Sequence, residues 1–368
     1  MNIKKYLSSL GIVIPLFISL INAEPDPNFH IYLLFGQSNM AGGGNTSNLI
    51  TQDCDTSPRV KVLAFSDCSA GSGPSCKQYP LKRTHDQWYT AYPPLHICSE
   101  GISPGDWFAK TMLDSIREDI TIGLVPCALS GQTLKVFEKG GSNFNIPTWA
   151  HPTLGNSSPY EWMLKRCKIA QETGVIKGFL FHQGENDVGQ NWWVNTAKGI
   201  FDNLKKDLGL DNTLPVVVGE LVQDQGACCA SHNTLVNKLA SEYPNCGVAS
   251  SKDLKKKSGD QYNAHFDSPG MRELGKRYAQ TFLSLADQNY VPRKGTVAIK
   301  NTRNSKALTS KEINTSLSDF NIYTLDGRAI RISGINSNAN VLRQLKPGNI
   351  YLLIDRQTGR NSRFLYLK

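Results

Sequence analysis

The residues that invite chemistry in this sequence lie in three short polar clusters. Ser38 stands in Phe35-Gly-Gln-Ser-Asn-Met-Ala-Gly-Gly43, directly behind the apolar run His30–Phe35. A serine hydroxyl is a poor nucleophile until a base within hydrogen-bond reach takes its proton. His265, in Asn263-Ala-His-Phe-Asp-Ser-Pro-Gly270, is a candidate base. The third cluster, His182-Gln-Gly-Glu-Asn-Asp187, also follows an apolar run, Val175–Phe181. The nucleophile elbow G-x-S-x-G is absent, because Met40 occupies its fifth place. Ser38 acts only if the fold brings these separate clusters together.

The elements between the clusters read as an alternation. Ile31–Phe35, Ile120–Cys127, Val175–Phe181, Leu214–Leu221 and Gly247–Ser250 are short apolar runs without a two-residue period, as expected of strands buried on both faces. Asp106–Glu118, Tyr160–Thr173, Trp192–Leu208, His232–Tyr243 and Pro269–Gln288 read as helices. In the last of these Ser268 is the expected cap, and Met271, Leu274, Tyr278, Phe282 and Leu285 keep helical spacing. Such alternation predicts an α/β layered domain with a mainly parallel sheet, whose ligands bind beyond the carboxyl ends of the strands. All three polar clusters would then share one edge.

The chain ends differ from this centre. Residues 1–23 carry Lys4 and Lys5, then an apolar stretch from Leu10 to Ile21 and a small residue at Ala23. That is the pattern of a signal peptide, so residues 24–290 are expected to form an exported domain. Export makes nucleic acid an improbable partner and favours disulfides among the nine cysteines, with at least one left over. Cys228, Cys229 and His232 lack the spacing of a zinc site, and neither metal nor organic cofactor is expected. The net charge of +9 resides in the C-terminal part, where residues 291–368 hold 14 Lys/Arg against 4 Asp/Glu. There a polar linker, 291–318, is expected to lead into a small β-sandwich at 319–368, with strands at Phe320–Leu325, Arg328–Ile332, Asn349–Ile354 and Arg363–Leu367.

Four blocks, Gly36-Gln-Ser-Asn-Met40, Ala128-Leu-Ser-Gly-Gln-Thr133, His182-Gln-Gly-Glu185 and His265-Phe-Asp-Ser268, resemble in order and context the SGNH-type hydrolases, specifically carbohydrate esterase family 6 and the sialate O-acetylesterase group. The resemblance implies a flavodoxin-like three-layer α/β/α fold and hydrolysis of acetyl esters on sugars, often on xylan. It implies Ser38 as nucleophile and His265 as general base. The oxyanion donors would be the N–H groups of Ser38 and Gly131 and a side-chain amide, either Asn186 or Gln183. The wider superfamily places an Asp three residues before the histidine, where this chain has Tyr262. A tyrosine cannot stabilise an imidazolium as a carboxylate does, so another carboxylate is expected to orient His265, with no carboxylate at all as the remaining alternative. Glu185 is the preferred candidate, because the family motif carries a glutamate there, and Asp260 is the alternative.

Trp88, Tyr89, Trp149, Trp192 and Trp193 are aromatics that could stack on sugar rings or fill the core. Trp192 and Trp193, beside the third cluster, are the candidates for substrate binding. The basic tail resembles modules appended to secreted fibre-degrading enzymes, with sorting, envelope attachment or polysaccharide binding as its implied role. The expected activity is removal of acetyl groups from plant cell-wall polysaccharide, xylan foremost. A sialate or other sugar O-acetylesterase is the near alternative. A non-catalytic carbohydrate-binding or envelope-attachment protein on the same fold is the alternative of another class.

Overall fold

The computed structural model describes residues 24–43, 49–69, 76, 81–141, 150–287, 290–294, 308–309, 320–324, 350–355 and 361–365. The expected signal peptide, most of the expected linker, the strand at Arg328–Ile332 and Trp149 lie outside these residues.

The central strand is β1 (Asp26–Gly36), buried from Phe29 onward because both faces are covered. Ile31, Leu33 and Phe35 enter one core, Tyr32 and Leu34 the other, as the two-residue period of a strand requires. Around β1 runs a seven-stranded sheet in the order β3-β2-β4-β1-β5-β6-β7. Its other members are β2 (Val60–Leu63), β3 (Trp88–Thr90), β4 (Thr121–Ala128), β5 (Gly174–His182), β6 (Val216–Gly219) and β7 (Cys246–Ala249). Every pairing is parallel except that of β2 with the short β3. The strands read from apolar runs are β1, β4, β5, β6 and β7. The edge pair β2 and β3 was not foreseen, for four and three residues give too little pattern to read.

Helices cover both faces. Residues of α4 (Pro159–Gln171), α5 (Trp193–Asp207) and α6 (Asn233–Glu242) fill one core, and those of α2 (Pro104–Ser115) and α7 (Ser268–Leu285) the other. Two one-turn helices, α1 (Ser38–Ala41) and α3 (His151–Leu154), complete the set of α-helices among the described residues. Ser103 caps α2 by accepting from the N–H of Gly105 at 3.1 Å, and Ser158 caps α4 by accepting from that of Glu161 at 3.2 Å. At α7 the expectation is corrected: Asp267, not Ser268, is the cap, and its carboxylate accepts from Gly270 N at 2.6 Å. Asp267 is therefore already engaged at the helix end.

The described C-terminal residues form a single four-stranded sheet, β8 (Leu308–Thr309), β11 (Asn361–Leu365), β10 (Ile350–Asp355) and β9 (Phe320–Thr324), in that spatial order. The second layer that a sandwich needs is not among the described residues. Leu308–Thr309, inside the segment read as linker, pairs parallel with β11. Two of the disulfides, Cys54–Cys76 and Cys68–Cys98, tie the loops around β2, and Cys228 is bonded to its neighbour Cys229. Cys127, Cys167 and Cys246 are free.

What positions the functional edge is the level ending of three strands. Gly36 pairs with Ala128 of β4 and with His182 of β5. Gly36 has φ +128°, and a Cβ there would lie 2.0 Å from the backbone oxygen of His182. Only glycine allows both the dihedral and the approach. Gly36→Ala is expected to destabilise the protein by at least about 3 kcal/mol, read from the urea midpoint, because backbone cannot move aside as a flexible side chain can.

Candidate active site

Ser38 opens α1 immediately beyond β1 and is half-buried. Beyond Gly36 the strand ladder continues for one step on each side, with Gln37 N donating to His182 O and Leu129 N to Gly36 O, both at 2.9 Å. The turn then closes on itself, Gly42 N donating to Ser38 O at 2.9 Å. Asn39, fully buried, fastens this turn to two other clusters. Its amide donates to Glu185 Oε1 at 2.6 Å and to Ala264 O at 2.9 Å, and its Oδ1 accepts from Phe266 N at 3.3 Å.

His265 meets Ser38 across 227 residues of sequence, its Nε2 2.8 Å from the serine Oγ. On the other side of the ring, Nδ1 lies 3.0 Å from Asp260 Oδ1. The second carboxylate oxygen of Asp260 accepts from Ala264 N at 2.8 Å and His265 N at 3.0 Å. Burial alone would raise the pKa of Asp260, but the hydrogen bonds from His265 and Ala264 outweigh it and bring it down to about 2. An ionised Asp260 places the imidazole proton on Nδ1 and leaves the Nε2 lone pair to accept from the serine hydroxyl.

The expectation that Glu185 orients His265 is therefore corrected in favour of Asp260. Asp260 stands five residues before the histidine. The extra two residues are taken up by a turn in which Asn263 N donates to Asp260 O at 3.1 Å and Asn263 adopts φ +50°. Asparagine tolerates that left-handed conformation better than most residues. Glu185 is buried behind Asn39, 3.7 Å from His182 Nε2, and its Oε2 has no hydrogen-bond partner among the described residues. Burial raises its pKa against the weaker pull of the Asn39 bond. His182 is itself buried, with its pKa lowered to about 3 by desolvation, and its Nδ1 lies 3.2 Å from the Tyr278 hydroxyl. The Tyr278 hydroxyl donates to Phe181 O at 2.7 Å, so it accepts from His182 Nδ1–H and leaves the Nε2 lone pair toward Glu185.

The two amides proposed from sequence have different surroundings. Gln183 is buried and committed: its Nε2 donates to Gln132 O at 3.2 Å and to Asp187, while its Oε1 accepts from the Trp193 indole. With both amide hydrogens engaged it cannot serve an oxyanion, which is a correction. Asn186 is exposed and donates one amide hydrogen to Gly131 O. Gly131 is exposed too, at φ +72°, with no atom within 4 Å of where a Cβ would stand. Asp187, not foreseen, clamps the loops after β4 and β5 by accepting from Thr133 Oγ1 at 2.6 Å, from Leu134 N at 2.7 Å and from Gln183. Asn39 was also missed, although it lies inside the first recognised block.

Trp193 is a core residue, fully buried, with ring centroids 5.9 Å from Phe181 and 4.6 Å from His232. Its candidacy for substrate binding is withdrawn. Trp192 is half-buried under Lys135, whose Nζ lies 4.5 Å from the ring centroid, and lines a groove of about 580 Å³ with Asn195, Thr196 and Asn203 of α5. Trp88 packs edge-on to Phe29 at 5.0 Å, and the Tyr89 hydroxyl accepts from Thr84 N at 2.9 Å. Both serve the sheet edge. Among the described residues no group of three or more His, Cys, Asp or Glu could hold a metal, and the sulfurs of Cys228 and Cys229 are bonded to each other.

Comparison with known proteins bears on this geometry. Residues 28–284 match the family model described as "Carbohydrate esterase, sialic acid-specific acetylesterase". The chain is 29% identical over 275 residues to "Probable carbohydrate esterase At4g34215" of Arabidopsis thaliana, covering 71% of this chain and 93% of that one. The X-ray structure of that Arabidopsis protein superposes with a TM-score of 0.53 at 26% identity, over 70% of this chain and 99% of the other. The crystal structure of NanS shares the fold, with a TM-score of 0.51 at 16% identity over 70% of this chain and 98% of that one. The family match ends before the C-terminal sheet begins. From Asn28 to Ser284 the chain belongs to the carbohydrate esterases of the sialic acid-specific acetylesterase family, and it is a carboxylic ester hydrolase.

Proposed function

We propose that the protein is an exported serine esterase that removes O-acetyl groups from plant cell-wall carbohydrate, acetylated xylan foremost, through an acetyl-Ser38 intermediate. The observation that carries this reading is the chain of contacts Asp260–His265–Ser38, at 3.0 and 2.8 Å, on a family member's fold. His265 Nε2 takes the Ser38 proton as Oγ attacks the acetyl carbonyl carbon. The resulting oxyanion is met by the N–H groups of Ser38 and Gly131 and by the second amide hydrogen of Asn186. Collapse breaks the bond to the sugar oxygen, which leaves with the proton returned by His265. Water then repeats the sequence on the acetyl-enzyme and releases acetate. Asp260 stays ionised throughout and stabilises the imidazolium.

Export through residues 1–23 agrees with the two loop disulfides, which persist in oxidising compartments. The basic C-terminal part would attach the enzyme to an acidic polysaccharide or to the cell envelope. A second reading, a sialate O-acetylesterase, is favoured by the wording of the family description. The non-catalytic reading rested on the lack of an aspartate at position 262, and Asp260 supplies that carboxylate from elsewhere.

Acetate release from acetylated xylan is the deciding measurement, with O-acetylated sialic acid in parallel. Ser38→Ala is expected to lower kcat at least about a thousandfold on the accepted substrate. Hydrolysis of the sialate alone would transfer the assignment to the second reading, and an unaffected Ser38→Ala would end the serine mechanism. Asp260→Asn is expected to cost about 10³-fold or more in kcat, and Glu185→Gln no more than about tenfold, because of the two carboxylates only Asp260 is hydrogen-bonded to His265. The reverse order would restore Glu185 to the role. Because its pKa is depressed from 3.8 to about 2, Asp260 contributes stability that is fully present above about pH 4 and lost as pH falls through 2. The stability gap between wild type and Asp260→Asn should therefore narrow as pH falls from about 4 to about 2 in urea titrations.

A further inference from the structure

Tyr262, the residue standing where the wider superfamily has its aspartate, is the most exposed large apolar side chain of the described residues, at 64% accessible. Its ring centroid lies 6.2 Å from that of His265, at an interplanar angle of 77°. Exposure of this kind ordinarily goes with a loosely held loop. Here the turn is held from several sides. Asp260 accepts the N–H groups of Ala264 and His265, Lys256 Nζ donates to Asn263 Oδ1 at 2.7 Å, and Cys228 N donates to Asn263 O at 3.0 Å. That last donor is bonded to the Cα of Cys228, an atom of the small covalent ring closed by Cys228 and Cys229. The loop is further closed by Lys257 N donating to His265 O at 2.8 Å and Asp267 N to Lys255 O at 3.0 Å. Tyr262 is thus an aromatic ring kept open to water on a pre-organised turn, and pre-organisation lowers the entropic cost of binding.

The reaction states what must lie beside it. The sugar oxygen that leaves the acetyl carbon takes its proton from His265 Nε2, so at that moment it is within hydrogen-bond reach of the imidazole. The pyranose carbon is one bond away, so the sugar ring sits against the rim of His265. The only exposed large apolar ring in contact with His265 among the described residues is Tyr262. The apolar C–H face of a pyranose and the face of an aromatic ring are complementary in size and polarity.

We propose that Tyr262 is the stacking platform for the pyranose that carries the acetyl group, and so a specificity-determining residue for sugar leaving groups. This rests on the reading of the chain as a sugar O-acetylesterase. The ring, not the hydroxyl, does the work, and the contact is made with the sugar rather than with the acetyl group.

The test compares Tyr262→Ala, Tyr262→Phe and wild type on acetylated xylo-oligosaccharide, on O-acetylated sialic acid and on vinyl acetate, whose leaving group has no ring. On the sugar ester that wild type hydrolyses, Tyr262→Ala is expected to lose about tenfold in kcat/KM, chiefly through KM, and to stay within about twofold on vinyl acetate. Tyr262→Phe should remain within about threefold of wild type on both. An equal loss on vinyl acetate would overturn the platform, because the ring would then be supporting His265. So would wild-type kinetics for Tyr262→Ala on the sugar ester. A wild-type enzyme that hydrolyses vinyl acetate and neither sugar ester refutes the proposed function and the platform together, whereas the two preceding outcomes leave the proposed function standing.

Discussion

Three parallel strands that end at the same height are the constraint on which the remainder of this site depends. β4, β1 and β5 finish in register at Ala128, Gly36 and His182, and the next backbone bonds, from Gln37 to His182 and from Leu129 to Gly36, carry the alignment one residue beyond the sheet. The chain segments that follow, bearing Ser38, Gly131 and Gln183–Asp187, have to emerge on one edge. The alignment is bought by a residue with no side chain at position 36. His265 reaches the same edge by another route. It immediately precedes α7, which is docked by Leu274, Tyr278 and Phe282 on the opposite face of the sheet from α5.

The two carboxylates considered for the histidine show how environment decides role. Asp260 is surrounded by donors: two backbone N–H groups and the imidazole. Glu185 has the amide of Asn39 and, otherwise, apolar burial and a neutral histidine. The first environment favours the charge and the second opposes it. A carboxylate that must stabilise a developing imidazolium has to be the first kind. Glu185 instead anchors Asn39, and through it the turn that carries Ser38. Asp187 does the corresponding work between the loops after β4 and β5.

Much of this was legible before any coordinates. Apolar runs marked five of the seven strands, and the resemblance of four short blocks to a known family, more than the residue types alone, marked Ser38 and His265. The misreadings have physical causes. Asp260 was ranked second because a count along the sequence cannot reveal a turn that passes through a left-handed Asn263. Gln183 and Asn186 are alike as amides, and only their neighbours distinguish them: an indole, a carbonyl and a carboxylate use up the first. Trp192 and Trp193 are adjacent at the start of a helix, where successive side chains diverge by about 100°, so one faces the core and the other does not. The bond between Cys228 and Cys229 was one pairing among many that the cysteine count allowed.

The distance along the chain between Ser38 and His265 has a consequence for synthesis. Domains begin to form from the N-terminal end as the chain is made. Ser38, the proposed nucleophile, is therefore present for more than 200 residues of elongation before His265, its proposed base, exists, since the two are 227 positions apart. Throughout that interval the hydroxyl is no more reactive than any other serine. Asp260 precedes the histidine by only five residues and can be waiting for it. On the proposed mechanism the polypeptide is thus silent toward esters until α7 can dock, and the onset of hydrolysis marks completion of the sheet-and-helix core rather than the appearance of any one residue.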